Sequence, residues 1–222
     1  MKIDILTLFP EMFVPLYTSI VGRAVKNNKI DIKVHDIREY TLDKHKKCDD
    51  TPFGGGAGMV MMPQPIADAI KAIDPDHQAH RVFLSPRGRV FNQKIVLEYA
   101  KKQNLLLLCG HYEGVDQRII DKYIDEELSV GDYVLTGGEI PAMAVADAVS
   151  RYIDGVIKGE SLKQESFSSG LLEYPQYTRP QEFEGMSVPK VLVNGNHAEI
   201  DKWRMEKSIE ITKRNRPELI EE

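Results

Sequence analysis

Glycine gathers in four segments of this chain: FGGGAGM (Phe53 to Met59), LCGHYEG (Leu108 to Gly114), SVGDY (Ser129 to Tyr133) and LTGGE (Leu135 to Glu139). Glycine tolerates positive φ and lets backbone approach a ligand closely. One such segment alone reads as a turn. Three that follow or interrupt strands near one edge of a sheet read as a ligand cradle. No G-x-x-x-x-G-K-[ST] is present and no G-x-G-x-x-G follows the first strand, so a nucleoside triphosphate is not the expected ligand. The segments carry no lysine to meet a phosphate. They suit a ligand held by backbone hydrogen bonds, such as an adenine edge. The ionisable candidates are Glu113 and Asp116 after the second glycine segment, Arg151 at the end of a helix, and Glu160, Glu165 and Glu173 in a polar stretch. A carboxylate can act as general base and a guanidinium can steady a developing anion. Each of them, taken singly, also fits a solvated surface charge.

The elements that would position these residues alternate between strand and helix. KIDILTLF (Lys2 to Phe9), IDIKVHDI (Ile30 to Ile37), RVFLS (Arg81 to Ser85) and NLLLLC (Asn104 to Cys109) read as strands. The last two are nearly continuous apolar runs, as parallel strands covered on both faces require. PQPIADAIKAI (Pro63 to Ile73) and NQKIVLEYAKKQ (Asn92 to Gln103) are amphipathic, with Pro65 suited to a first helical turn. A third helix is expected from about Glu139 to Tyr152, after the Gly137-Gly138 turn. This alternation implies an α/β fold with a mostly parallel sheet. After Asp154 the composition shifts to GVIKGESLKQESFSSGLLEYPQ, rich in Gly, Ser and Glu, which reads as a linker or mobile loop. From about Pro175 onward the chain is expected to be helical again. HAEIDKWRMEKSIEITKRN places Ile200, Trp203, Ile209 and Ile211 as a helical stripe, and Pro217 marks a break.

Composition bounds the class. The chain has 222 residues, 42% hydrophobic and 28% charged, ordinary values for a globular protein. MKIDILTLFP lacks the marks of a signal peptide, and no apolar run approaches the roughly 20 residues that span a bilayer. The expected compartment is the cytoplasm, with no membrane partner. Cys48 and Cys109 are expected to be free thiols, and no histidine stands at metal-ligand spacing, so no metal site is expected. A net charge of −5 argues against loose, charge-driven nucleic-acid binding but leaves room for a local patch. Lys44, Lys46 and Lys47 form one basic cluster. Lys202, Arg204, Lys207, Lys213, Arg214 and Arg216 form another, interleaved with Asp201, Glu206 and Glu210, so that a solvated helix face fits it as well.

Read together, LTLFPEMF, DDTPFGGGAGMVM, LSPRGR, LCGHYEGVDQR, SVGDYVLTGGE, GLLEYPQYTRP and NGNHAEIDKWR closely resemble bacterial tRNA (guanine-37-N1)-methyltransferases of the SPOUT class, in family order over nearly the whole chain. The resemblance implies an α/β fold whose mostly parallel sheet is flanked by helices and carries a deep C-terminal trefoil knot, plus a small helical C-terminal domain. True knots are close to absent among folds, so no sequence rule would supply one. The implied division is a knotted S-adenosylmethionine-binding domain over residues 1–159, a mobile linker over 160–174 and a helical tRNA-binding domain over 175–222. The implied cofactor positions are Leu84, Ser85, Pro86, Gly110, Glu113, Val130, Gly131, Asp132, Tyr133, Val134, Leu135, Gly137 and Gly138, with valine at 130 where the family often has isoleucine. The implied assembly is a homodimer whose active sites use both subunits.

The resemblance assigns chemistry to Arg151 and to Glu165, the first residue of Glu165-Ser166-Phe167, where the family usually carries aspartate. Glu173 matches a second family acid, again glutamate for aspartate. Guanine N1 carries a proton and is a poor nucleophile at neutral pH. A carboxylate at N1–H can take that proton as the methyl group arrives, and a guanidinium can steady the charge that builds on O6. N1 lies on the pairing edge, so the base must leave its stack. Trp203 could stack on a nucleotide or serve as a core or interface residue. Two other readings are a knotted methyltransferase acting on ribosomal RNA or on ribose, and an RNA-binding module without catalysis.

Overall fold

A computed structural model describes residues 1–220, apart from the side chains of Glu160 and Lys163. The last two residues of the expected 175–222 domain therefore lie outside the described residues, as does the candidate carboxylate of Glu160. The chain divides into two compact units, Met1–Ile157 and Lys158–Glu222.

The first unit is built on five parallel strands. They are β1 (Lys2–Thr7), β2 (Asp31–Asp36), β5 (His80–Val90), β6 (Asn104–Cys109) and β7 (Glu126–Ser129), in the order β2-β1-β6-β5-β7. A two-stranded antiparallel hairpin, β3 (Asp49–Asp50) and β4 (Val60–Met61), stands apart from the sheet. Five α-helices accompany them: α1 (Ser19–Lys26), α2 (Pro63–Ile73), α3 (Gln93–Tyr99), α4 (Gln117–Tyr123) and α5 (Glu139–Ser150).

Helices on both faces explain the unbroken apolar run of β6. Leu105 and Leu107 pack with residues of α1, α3 and α5, whereas Leu106 and Leu108 face α2 and α4. Neighbours in a strand point to opposite faces, so two buried faces demand apolar residues at every position. Leu105 to Leu108 are all 0% exposed, and each such side chain contributes about 1.5–3 kcal/mol on burial.

Strand β5 is longer than the expected Arg81 to Ser85. It pairs with β7 through Leu84, loops out over residues 85–88, then rejoins β7 at Arg89 and Val90. The outward loop is SPRG, with a proline that has no N–H to donate and Gly88, where a Cβ would collide with the backbone of Glu127 and Leu128. The expectation named no strand at β7 and no helix at α1 or α4. Strand β7 has only four residues and opens with two glutamates. Glu126 is tolerated because His80 Nε2 (3.0 Å), the Tyr99 hydroxyl (2.8 Å) and Arg89 Nε (2.9 Å) surround its carboxylate.

The second unit corrects two readings of composition. The polar stretch contains a short helix, α6 (Gly159–Lys163). The chain is also not helical from Pro175. It forms a hairpin of β8 (Glu182–Phe183) and β9 (Met186–Ser187), then a 3-10 turn at Lys190–Val193, before α7 (His197–Asn215) begins. Pro175, Pro180 and Pro189 punctuate this stretch and disfavour helix at the residues before them. Glu184 and Gly185 have φ of 51° and 77°, the positive pair that a tight two-residue hairpin turn needs. Helix α7 matches the expected HAEIDKWRMEKSIEITKRN stretch end to end, with Asn196 accepting from Glu199 N at its start.

Candidate active site

Three loops leave the carboxyl ends of neighbouring strands in the first unit: residues 85–88 within β5, 110–116 after β6, and 130–138 after β7. They meet around a cleft of about 340 Å³, within the size range of small-molecule sites. The meeting is backbone to backbone. Gly138 N–H donates to Gly110 C=O at 2.9 Å. A Cβ on Gly138 would lie 2.7 Å from Cys109 Cα and 2.9 Å from Gly110 N. A Cβ on Gly110 would lie 2.8 Å from the ring of Phe83. Glycine at these positions follows from close approach.

Of the expected cofactor residues, Leu84, Ser85, Pro86, Gly110, Glu113, Val130, Gly131, Tyr133, Val134, Leu135, Gly137 and Gly138 all line this cleft. Asp132 does not line it, and neither does Arg151, the C-cap of α5. Glu165 belongs to the second unit. His111, Tyr112, Arg87, Gln117, Thr136 and Pro141 line the cleft as well, and sequence reading passed over them. His111 and Tyr112 sit inside the LCGHYEG motif, so their signal was present. Arg87 and Gln117 fall within LSPRGR and LCGHYEGVDQR, but their approach to each other depends on the outward loop of β5.

The walls are weakly charged. Among the lining residues the carboxylate is Glu113 and the guanidinium is Arg87, and there is no lysine. Arg87 Nη2 already lies 3.2 Å from Glu127 Oε2 and 3.3 Å from Gln117 Oε1. Behind the wall, Glu139 is 2% exposed and accepts from the Thr7 hydroxyl at 2.8 Å. It occupies the first turn of α5, where the helix dipole favours a negative charge. Burial, and then the nearby charge of Glu139, push the Cys109 thiol well above its ordinary range. This thiol therefore stays protonated and inert, as a buried structural cysteine does.

The fourth glycine segment adjoins the same mouth. It is the tip of the β3–β4 hairpin, and its base runs alongside the loop after β6. Glu113 N donates to Met59 O (3.0 Å), Met61 N to Gly114 O (2.9 Å) and Asp116 N to Met61 O (3.1 Å). A Cβ on Gly58 would strike the Glu113 side chain, while Phe53 at the tip is fully exposed.

In the second unit the Glu165 segment is held by local bonds. Glu165 C=O accepts from the Ser168 hydroxyl (2.7 Å), and Ser166 Oγ accepts from Glu173 N (3.0 Å). Phe167 N donates to Leu171 O at 2.8 Å. Leu172 N donates to Thr212 Oγ1 on α7 at 2.9 Å. The turn from Glu165 to Glu173 thus brings its two acidic ends toward each other and is tied to a long helix, which composition alone read as a featureless stretch.

The family model described as tRNA (Guanine-1)-methyltransferase TrmD matches residues 1–222. A protein of Clostridium beijerinckii named tRNA (guanine-N(1)-)-methyltransferase is 57% identical over 220 residues, covering 99% of this chain and 92% of its own. A protein of the same name from Clostridium acetobutylicum is 54% identical, covering 100% and 91%. A third, from Ruminiclostridium cellulolyticum, is 54% identical, covering 99% and 96%.

Proposed function

The chain belongs to the tRNA (guanine-1)-methyltransferase family, and on that premise we propose that it transfers a methyl group from S-adenosylmethionine to N1 of guanine 37, beside the anticodon of tRNA. Membership of a methyltransferase family implies a methyl donor. The observation that carries the reading is the convergence of three strand-end loops on one cleft with close backbone contacts and no lysine. These walls fit the proposed cofactor. Its sulfonium and ammonium are cationic and its adenine is a flat hydrogen-bonding edge, and the cleft offers one carboxylate, Glu113, and apolar and backbone surface at Leu84, Val130, Val134 and Leu135. Asp132, outside the lining, is assigned to the same loop by its motif.

When bound, the sulfonium supplies an electrophilic methyl group without a metal. The protein's own work falls to two side chains. Glu165 takes the N1 proton of guanine as general base, so that the electron pair of that bond becomes available to the incoming carbon. Arg151 donates to O6, where negative charge develops as N1 loses its proton. Because N1 lies on the pairing edge, the guanine is unstacked from the anticodon loop before it reaches these groups.

The reading extends to architecture and assembly. Residues 1–159 form the cofactor domain, residues 160–174 connect it to the tRNA-binding domain, and the latter is residues 175–222. The cofactor domain carries a trefoil knot. Supporting the knot is the path of the chain from β7, at one edge of the sheet, back to α5, which packs against β6 and β1, two and three places inward. The active unit is a homodimer, with the cleft of one copy completed by Glu165 of the other. Met12, Val14, Tyr17 and Ile20 leave apolar surface exposed along one short segment and offer a face for a second copy. Among the described residues no helix is long and apolar enough to cross a membrane, and the work site is the cytoplasm, where tRNA is processed.

The test is methyl transfer to an unmodified tRNA transcript, with the product digested and N1-methylguanine measured. A transcript with adenine at position 37 is the control. Transfer to any other atom, or equal transfer to the control, overturns the proposal.

A further inference from the structure

The second unit contains a cleft of its own, about 430 Å³, between the YPQYTR segment and α7. Its chemistry differs from that of the first. Ile200, Trp203 and Arg204 lie on one face of α7, as spacings of three and four residues require. Across from them stand Tyr174, Tyr177 and Arg179. The Tyr177 and Trp203 rings are 6.3 Å apart and tilted by 55°. Tyr177 is half exposed. The Arg204 guanidinium lies over the Tyr174 ring, 4.8 Å from its centroid.

Two further facts point to a ligand. Among the described residues no carboxylate lines this cleft, although the chain as a whole carries a net charge of −5. Besides the Tyr174 ring, Arg204 approaches Asp201, with Nη1 3.6 Å from its Oδ1. Its Nε–H is buried and has no hydrogen-bond partner among the described residues. A buried donor left unsatisfied costs free energy, and a bound acceptor would remove that cost.

We propose that this cleft binds an unpaired nucleotide of the RNA substrate, with the base stacked on Trp203 and Tyr177 and an acceptor atom on Arg204 Nε–H. Aromatic faces accept any base by stacking, and arginine adds a cation that meets base or phosphate. Arg179 at the rim faces the sugar-phosphate chain. The inference rests on the reading of the substrate as tRNA and deepens it: the second unit holds a nucleotide other than the methylated guanine. Such a hold favours tRNA whose loop is open at that position.

Trp203 is the single tryptophan of the chain, so its fluorescence reports on this cleft alone. The full-length chain is titrated with unmodified tRNA transcript while binding is followed separately by anisotropy of a labelled transcript. Quenching that saturates together with binding is expected. Trp203→Ala and Tyr177→Leu should each weaken tRNA binding by roughly 5- to 150-fold, Trp203→Phe by only a few-fold, and none should change affinity for S-adenosylmethionine. If Trp203→Ala fails to fold, the wild-type titration and Tyr177→Leu decide the matter. Binding of tRNA with unchanged tryptophan fluorescence overturns the inference, and leaves the methyl-transfer reading intact if the same preparation forms N1-methylguanine. A preparation that neither binds nor methylates tRNA overturns both.

Discussion

Adding one methyl group at Gly138 should damage the cofactor cleft more than its size suggests. The new Cβ would lie 2.7 Å from Cys109 Cα and 2.9 Å from Gly110 N. Carbon atoms in contact rest at about 3.5–4.0 Å, so one of the two loops must retreat by roughly 1 Å. No rotamer change can absorb this, because both neighbours are backbone. The Gly138 N–H bond to Gly110 C=O, 2.9 Å in the wild type, stretches or breaks with the retreat. Overpacking of this kind costs about 1–3 kcal/mol, which for a chain of this length lowers Tm by about 2–12 °C. A shift of about 1 Å in a positioning wall costs about 10²-fold in activity. Gly159→Ala is the control: among the described residues, its chain neighbours and its own helix backbone aside, no atom lies within 4 Å of the added Cβ, and its φ is not in the left-handed region, so stability and activity should stay level. Scanning calorimetry, titration with S-adenosylmethionine and methyl transfer to tRNA are measured on both variants. A Gly138→Ala protein that melts and binds cofactor like the wild type would refute the claim that these backbones must touch.

Glu165→Gln should bind S-adenosylmethionine normally and lose about 10²–10⁴-fold in methyl transfer, with partial recovery as rising pH ionises guanine itself; a full rate at neutral pH in single-turnover assays would assign the base to another residue, Glu173 first. Co-expression of Gly137→Val, whose side chain would collide with Glu139 and His111, with Glu165→Gln should restore activity to roughly a quarter of wild type, since half of randomly paired dimers are mixed and each has one intact site. Mixed dimers confirmed by mass spectrometry but no more active than the single variants would show that each site is built within one subunit. Asp4 gives a stability test. Burial opposes its ionisation, but hydrogen bonds from His35 (2.8 Å) and Lys2 (2.7 Å) outweigh burial and hold its carboxyl below the ordinary value of 3.8. A depressed folded-state value contributes stability above pH 3.8 that is lost as the pH falls through the lowered value. Urea midpoints from about pH 6 to about pH 3 should therefore fall less steeply for Asp4→Asn than for the wild type, and identical slopes would count against the Asp4 contribution.

Much of the molecule is legible in local chemistry. Helix α2 spans the expected Pro63 to Ile73 and β6 the expected Asn104 to Cys109, because apolar period and proline punctuation are properties of adjacent residues. The cleft loops were legible for the same reason: glycine-bearing segments after apolar strands mark strand-end loops wherever the strands come to lie. Helix α4 also has a local signal, since Asp116 caps it by accepting from Arg118 N.

What the chain by itself determined, then, is which segments are strand, helix or glycine loop, and, through its motifs, the family whose chemistry they serve. Tertiary structure decided which segments meet. Glu126 is tolerated in strand β7 because His80 and Tyr99, 46 and 27 residues away along the chain, and Arg89 surround its carboxylate. Glu139 can be buried because Thr7, 132 residues earlier, donates to it. The outward turn at residues 85–88 appears only once β7 lies beside β5 and Gly88 presses on its backbone. Likewise the aromatic cleft of the second unit requires YPQYTR to face α7, which no period in either segment states. Secondary structure follows from steric and hydrogen-bonding preferences of near neighbours, whereas strand order, loop convergence and buried charge depend on contacts between residues far apart in the chain, whose energies are realised only when the whole unit has closed around them.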